Sequence, residues 1–208
     1  MFTELAAQET EILIQHSTTR TYPANTILIS EGDSTDSFYV VLEGEVKVLV
    51  SDDDGKEVIL NILGPGEYFG ELALLDDEPR SATIKTMVPT KVMVITKHDF
   101  KNCLSANSEM AYKLIEALVR QVRALTSNVK SLALMDVYGR VARTLLDLSE
   151  NVDGQMVIEQ KLTHQDIADM VGASREMVSR ILKDLVSGGY ITVKNKRYTI
   201  NEKLPPGW

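Results

Sequence analysis

Between Ser108 and Leu134 the chain has neither proline nor glycine, and its apolar residues step by four and three: Ala111, Ile115, Leu118, Val122, Leu125, Val129 and Leu132. Proline breaks a helix and glycine weakens one, so nothing interrupts a helix here. Steps of four and three put the seven side chains on one line along it. The line is an a/d seam sustained over about three heptads. Arg120, Gln121, Arg123 and Asn128 lie beside it. A helix buried within a domain shows a wider apolar face. The narrow stripe therefore predicts a coiled coil of two copies, a homodimer. Asp136-Val137-Tyr138-Gly139 breaks the pattern and marks a boundary.

Before this helix the period is that of strands. A helical pattern over residues 3–16, with Leu5, Ile12 and Leu13 apolar, gives way to short β-branched or aromatic segments at 27–29, 38–42, 46–50, 58–63, 82–86 and 92–95. Turn residues separate them, among them Glu31-Gly32-Asp33, Glu43-Gly44-Glu45 and Gly64-Pro65-Gly66. Asp54-Gly55 is a hairpin signal. Many short, closely spaced strands predict a sandwich, jelly roll or barrel. Thr96 with Asp99 then forms a capping box that opens a helix through about Cys103.

Beyond the boundary, helix is expected over residues 140–148, a polar turn over 150–154 and a strand over 156–158. Thr163 caps a short helix, with Asp166 completing the box. Gly172 ends it, and Ser174 caps a second helix that runs to about Val186. Val178, Ile181, Leu182 and Leu185 form the buried face of the second helix, and Arg175, Glu176, Ser179 and Arg180 its exposed side. Two short helices joined by a glycine turn make a helix-turn-helix, whose second helix reads the major groove. Gly188-Gly189 leads to strands at 190–193 and 197–200, around a basic turn at Lys194-Asn195-Lys196, which reads as a wing.

Charge agrees with this division. The whole chain is at −8; residues 1–136 carry 12 basic and 21 acidic side chains, whereas residues 174–197 carry six basic and two acidic. Phosphate binding needs local positive charge, and an acidic remainder limits indiscriminate adhesion to nucleic acid. Arginine offers a paired donor fork to guanine, and glutamate accepts from cytosine N4. On an isolated helix Glu176 and Arg180 would be read as an i, i+4 surface pair. Two capped helices, a glycine turn and a basic wing together favour the DNA-reading alternative.

Residues 168–182 read A-D-M-V-G-A-S-R-E-M-V-S-R-I-L, which resembles the signature of the bacterial cyclic AMP receptor protein (Crp/Fnr) family. The resemblance covers nearly the whole chain. It implies base contacts from Arg175, Glu176 and Arg180, and phosphate contacts from Thr163, Gln165, Ser174, Ser179, Lys194 and Lys196. It also implies a TGTGA-like half-site within a palindrome. The implied fold is α+β: an N-terminal cyclic-nucleotide-binding-type β jelly roll or barrel (1–107), a long dimerisation helix and hinge (108–136) and a C-terminal winged helix-turn-helix (137–208). Partners implied are double-stranded DNA, a second copy of the chain and RNA polymerase.

Residues 69–83 read F-G-E-L-A-L-L-D-D-E-P-R-S-A-T. Gly70 permits close backbone approach, the amides that follow, including that of Leu72, suit an anion, and Arg80 supplies a planar fork. The string resembles the phosphate-binding cassette of cyclic-nucleotide domains. By that resemblance Glu71 would hold a ribose 2′-hydroxyl, and Arg80 and Ser81 the cyclic phosphate of cyclic AMP. The plain alternative is a structural Glu71–Arg80 salt bridge. At the base end the family has adjacent Thr and Ser on the long helix. Thr126-Ser127 looks like that pair, but a gapless count puts Leu125 and Thr126 there. An apolar residue at the base-reading position points to altered nucleotide selectivity, or to a seam that closes without ligand.

Other classes fit less well. His16, His98 and His164 have no metal-ligand spacing, and no nucleophile motif appears. Neither an enzyme nor a metal site is expected. A nucleotide-binding regulatory subunit of an enzyme would need the cassette alone, so the helix-turn-helix argues against it. The single cysteine, Cys103, reads as a small core-facing helix residue. No apolar run reaches membrane-spanning length, and Met1-Phe2-Thr3-Glu4 lacks the basic start of a secretory signal. A cytoplasmic protein without membrane contact is expected.

Overall fold

Alternating apolar positions divide the first strands between two layers. The computed structural model describes residues 17–205, so the helix expected over 3–16 lies outside the described residues. The chain divides into two compact units, Met1–Ala124 and Leu125–Trp208.

In the first unit, β1 (Ser17–Tyr22), β3 (Ser37–Glu43), β6 (Tyr68–Phe69) and β8 (Thr90–Thr96) form one antiparallel sheet in the order β1-β8-β3-β6. A second contains β2 (Ile27–Ile29), β4 (Val46–Ser51), β5 (Glu57–Leu63) and β7 (Thr83–Thr86) in the order β2-β7-β4-β5. Because strand side chains alternate, β3 and β8 each serve two cores. Val41 and Val92 join Ile29, Val46, Phe69 and Ile84 in one cluster. Phe38, Val40, Met93 and Ile95 join a second cluster with Phe100 and Cys103 of α2 (Lys97–Ala106) and Met110 and Leu114 of α3 (Ser108–Leu134). Phe38 stacks on Phe100 with ring centroids 4.5 Å apart. Cys103 is buried as expected. Thr96 caps α2 by accepting from the Asp99 amide. A four-residue helix, α1 (Leu72–Leu75), follows Gly70-Glu71.

The second unit contains α4 (Val137–Asp147), α5 (His164–Val171) and α6 (Arg175–Ser187), with a sheet of β9 (Glu150–Val152), β10 (Gln155–Ile158), β11 (Ile191–Lys194) and β12 (Arg197–Ile200) in the order β11-β12-β10-β9. Its core includes Val141 and Leu145 of α4, Ile167 and Val171 of α5, and Val178, Leu182 and Leu185 of α6.

Three local expectations are corrected. A strand precedes the first one expected: Ser17–Tyr22 is mostly polar because, at the sheet edge, it pairs only with β8. The break after α3 is shorter than Asp136–Gly139. Asp136 Oδ1 accepts from the Gly139 amide at 2.7 Å, so α4 starts at Val137 and tolerates Gly139 in its first turn. The turn expected over 150–154 contains β9, an exposed strand whose return is made at Asp153-Gly154, both with positive φ.

Candidate functional site

The first unit buries two charged side chains of the cassette, Glu71 and Arg80, at 5% and 4% exposure. Arg80 is fixed from three sides. Its Nε donates to Thr35 Oγ1 at 2.8 Å, its Nη1 to the Gly70 carbonyl at 2.6 Å and its Nη2 to the Ser37 carbonyl at 2.6 Å. Its backbone is pinned as well: the Arg80 amide donates to Asp33 O, and the Gly32 amide to Arg80 O. Gly70 has φ +86°, and a Cβ there would lie 2.7 Å from Arg80 Nη1. Only glycine lets the backbone carry that carbonyl so close to the fork.

Glu71 and Arg80 form no ion pair, so the structural salt bridge is absent; they act on each other through space. Burial pushes the Glu71 carboxyl above its ordinary range, partly offset by its own amide and by Arg80. Burial likewise lowers Arg80, offset by Tyr39, Asp36 and Glu71. Tyr68 is raised, first by burial and then by Glu71. A guanidinium has five N–H donors, and the three bonds named use three. Two remain for a phosphate, and the desolvated Glu71 carboxylate suits a hydroxyl donor, so these residues fit a cyclic nucleotide. Leu72, half-buried, begins α1, and Ser81 is exposed. Thr35 and Ser37 were not singled out in the sequence; their only signal is the polar run before β3.

On α3 the expected seam emerges as a surface stripe. Ile115, Val122, Leu125, Val129 and Leu132 are exposed, Leu125 at 41% and Val129 at 65%, while Ala111 and Leu118 are half-buried. Leu118 packs against the cluster around Phe38. Thr126 is exposed. Ser127 is half-buried, and its Oγ accepts from Arg143 Nη2 of α4 at 2.5 Å. Arg143 also pairs with Asp147.

In the second unit, local signals build the helix-turn-helix. Thr163 accepts from the Asp166 amide, and the Asp166 carboxylate accepts from the Thr163 amide, completing the box. Gly172 sits at φ 61°, ψ 45°. A Cβ there would meet only Leu132, at an ordinary 3.5 Å, so backbone conformation rather than crowding requires the glycine. Ser174 Oγ accepts from the Met177 amide to start α6. Arg175, Glu176 and Arg180 stand exposed at the N-terminal end of α6. Among the described residues no hydrogen bond or ion pair engages them, so the i, i+4 pair is not formed. Gln165, exposed, donates to the buried Asp169 at 2.7 Å. Ser179, half-buried, lies 2.8 Å from His164 Nδ1. Lys194 and Lys196 are exposed at the tip of the β11–β12 hairpin, where Asn195 and Lys196 both have positive φ, as a two-residue turn of this hand requires.

A β-sheet domain with a nucleotide cassette followed by a winged helix-turn-helix defines a two-part DNA-binding regulator. The family described as cyclic nucleotide-binding domain matches residues 19–107, and the family described as Crp-like helix-turn-helix domain matches residues 139–203. The chain is 37% identical to the cAMP-activated global transcriptional regulator Vfr of Pseudomonas aeruginosa, over 90% of this chain and 91% of that protein. It is 36% identical to the cAMP-activated global transcriptional regulator CRP of Pasteurella multocida, over 91% and 93%. The solved structure of the c-di-GMP responsive global regulator CLP of Xanthomonas campestris superposes with a TM-score of 0.82 at 27% identity, covering 95% of this chain and all of that one. The chain belongs to the Crp/Fnr family. It is a DNA-binding transcription regulator with a cyclic nucleotide-binding domain, and not an enzyme. Among the described residues no group of three or more histidine, cysteine or acidic side chains is placed to hold a metal ion. No helix among them is long and apolar enough to cross a membrane.

Proposed function

We propose that the protein is a homodimeric regulator that binds a TGTGA-like palindrome and is gated by cyclic AMP in its first unit. The observation that carries the DNA reading is the exposed, unpaired set Arg175, Glu176 and Arg180 at one end of α6. Arg and Glu at that end suit guanine O6/N7 and cytosine N4. Thr163, Gln165, Ser174, Ser179, Lys194 and Lys196 border phosphates. The exposed stripe of α3 is the surface that a second copy covers, because burying it removes apolar area from water. Two recognition helices in such a dimer meet successive major grooves about 34 Å apart. Glu71 holds the ribose, and Arg80 and Ser81 the cyclic phosphate, beside the backbone at Gly70 and Leu72. Leu125, Thr126 and Ser127 are the residues that the family resemblance offers to the base. The site of action is the cytoplasm, with RNA polymerase as the further partner.

A second reading has the same DNA role with a different ligand, or with none. Leu125, exposed and apolar, favours it, because an apolar seam favours dimer pairing without help from ligand. A ligand shifts an equilibrium only through unequal affinity for its two states. Fluorescence anisotropy of a labelled palindrome at fixed salt separates the two. Tight binding only with cyclic AMP supports cyclic AMP gating. Equal binding without it supports the second reading, and Leu125→Thr is then expected to restore dependence on nucleotide.

A further inference from the structure

The chain has three histidines, His16, His98 and His164, and only His164 lies in the second unit. It is the first residue of α5, and its Nδ1 lies 2.8 Å from the hydroxyl of Ser179 on α6. Ser179 is one turn beyond Arg175 and adjacent to Arg180. The bond therefore joins the first helix of the helix-turn-helix to the reading face of the second. Nε2, the other ring nitrogen, has no partner among the described residues.

We propose that His164 is a positioning residue of the DNA-reading surface: it clasps Ser179 through Nδ1 and, when doubly protonated, donates from Nε2 to a DNA phosphate. The inference rests on the reading of α6 as the recognition helix. A serine hydroxyl can either donate or accept, so the clasp persists whether Nδ1 carries a proton or not. In the tautomer that carries its proton on Nδ1, only the outer nitrogen changes character. In one neutral tautomer it presents a lone pair, which a phosphate repels. In the imidazolium it presents a charged N–H, the stronger kind of donor to phosphate.

The surrounding charges are of both signs, and several are already engaged. On α5, Asp166 is bound to Thr163, and Asp169 to Gln165. On α4, Arg143 pairs with Asp147, and Arg140 donates to the Val171 carbonyl. The charged groups of α6 are Arg175, Glu176, Arg180, Lys183 and Asp184. On β12, the Tyr198 hydroxyl is pushed up to about 12, mainly by burial, and stays neutral.

The test uses the full chain with cyclic AMP present, the palindrome and a scrambled duplex, and anisotropy titrations between about pH 8 and pH 6, the range in which histidine changes charge. Affinity for both duplexes is expected to rise about fivefold to tenfold as pH falls, since a phosphate contact is blind to sequence. The slope of log K against log salt should steepen by about 0.9 for each phosphate gained. His164→Gln, which keeps an amide for Ser179 but cannot titrate, should show no pH response, whatever its affinity at pH 8. His98→Gln should leave the response intact. A wild type without pH response, or a His164→Gln variant that keeps it, overturns the proposal. Equal affinity for palindrome and scrambled duplex overturns the sequence-reading role instead, while the pH response on the scrambled duplex still decides the role of His164.

Discussion

Arg80 and Arg180 are the same side chain put to opposite uses. Arg80 is 4% exposed and held by two carbonyls and a hydroxyl. Arg180 is exposed and bonded to nothing described. On the proposed function a buried fork is set in advance for one small anion, because each of its bonds limits where the remaining donors point. An exposed arginine keeps its rotamers until a base edge orders it. On the proposed function, the first arrangement would tie ligand recognition to stability, and the second would keep DNA recognition nearly independent of it.

Arg80→Leu is the severest way to break that contrast. It strands two carbonyls, at about 1–3 kcal/mol for each buried unsatisfied group, and frees the hydroxyl of the exposed Thr35. Without any ligand, the urea midpoint should fall by the equivalent of about 3 kcal/mol or more; an unchanged midpoint would separate binding from stability after all. Arg180→Ala should instead lose about 1–3 kcal/mol of discrimination at one base pair. Its thermal stability should stay within about 0.5 kcal/mol of the parent. Competition with single-base variants of the palindrome, beside a melting curve, reads both.

Glu71→Gln sharpens the buried side. Burial raises the folded-state carboxyl above the unfolded value near 4.5, so the stability linked to its proton is complete below that value and is lost as pH rises through the folded one. The glutamine variant should therefore melt above wild type at pH 7, and the difference should vanish as pH falls below 4.5. Lys196→Ala is the gentlest change. It should weaken binding uniformly across sequences and lower the salt slope by about 0.9 per subunit.

The same contrast explains what was legible in the sequence. Capped helices, the glycine turn and the wing depend on neighbours a few residues apart, and Thr163, Gly172, Ser174 and Asn195 signal them directly. The apolar stripe of α3 was legible because a helix repeats. Contacts made by Arg80 were not, since Thr35 and Ser37 reach it only after the strands between have paired. The Arg143–Ser127 bond was hidden in the same way, lying across a helix break that Asp136 moved earlier than Gly139 suggested. β1 and β9 were missed because edge strands with exposed faces lack the apolar alternation that marks a strand.

Cys103 lies in the cluster behind Phe38 and Phe100, and burial pushes its thiol pKa up. It is the only cysteine in the chain. A thiol reagent thus has one target, reached only when α2 lifts from the sheet. The rate at which the protein consumes such a reagent is a clock for breathing of the sensor, with no contribution from the DNA-reading half. Run with and without nucleotide, it times how firmly a signal closes the sensor, with no label added and no DNA in the tube.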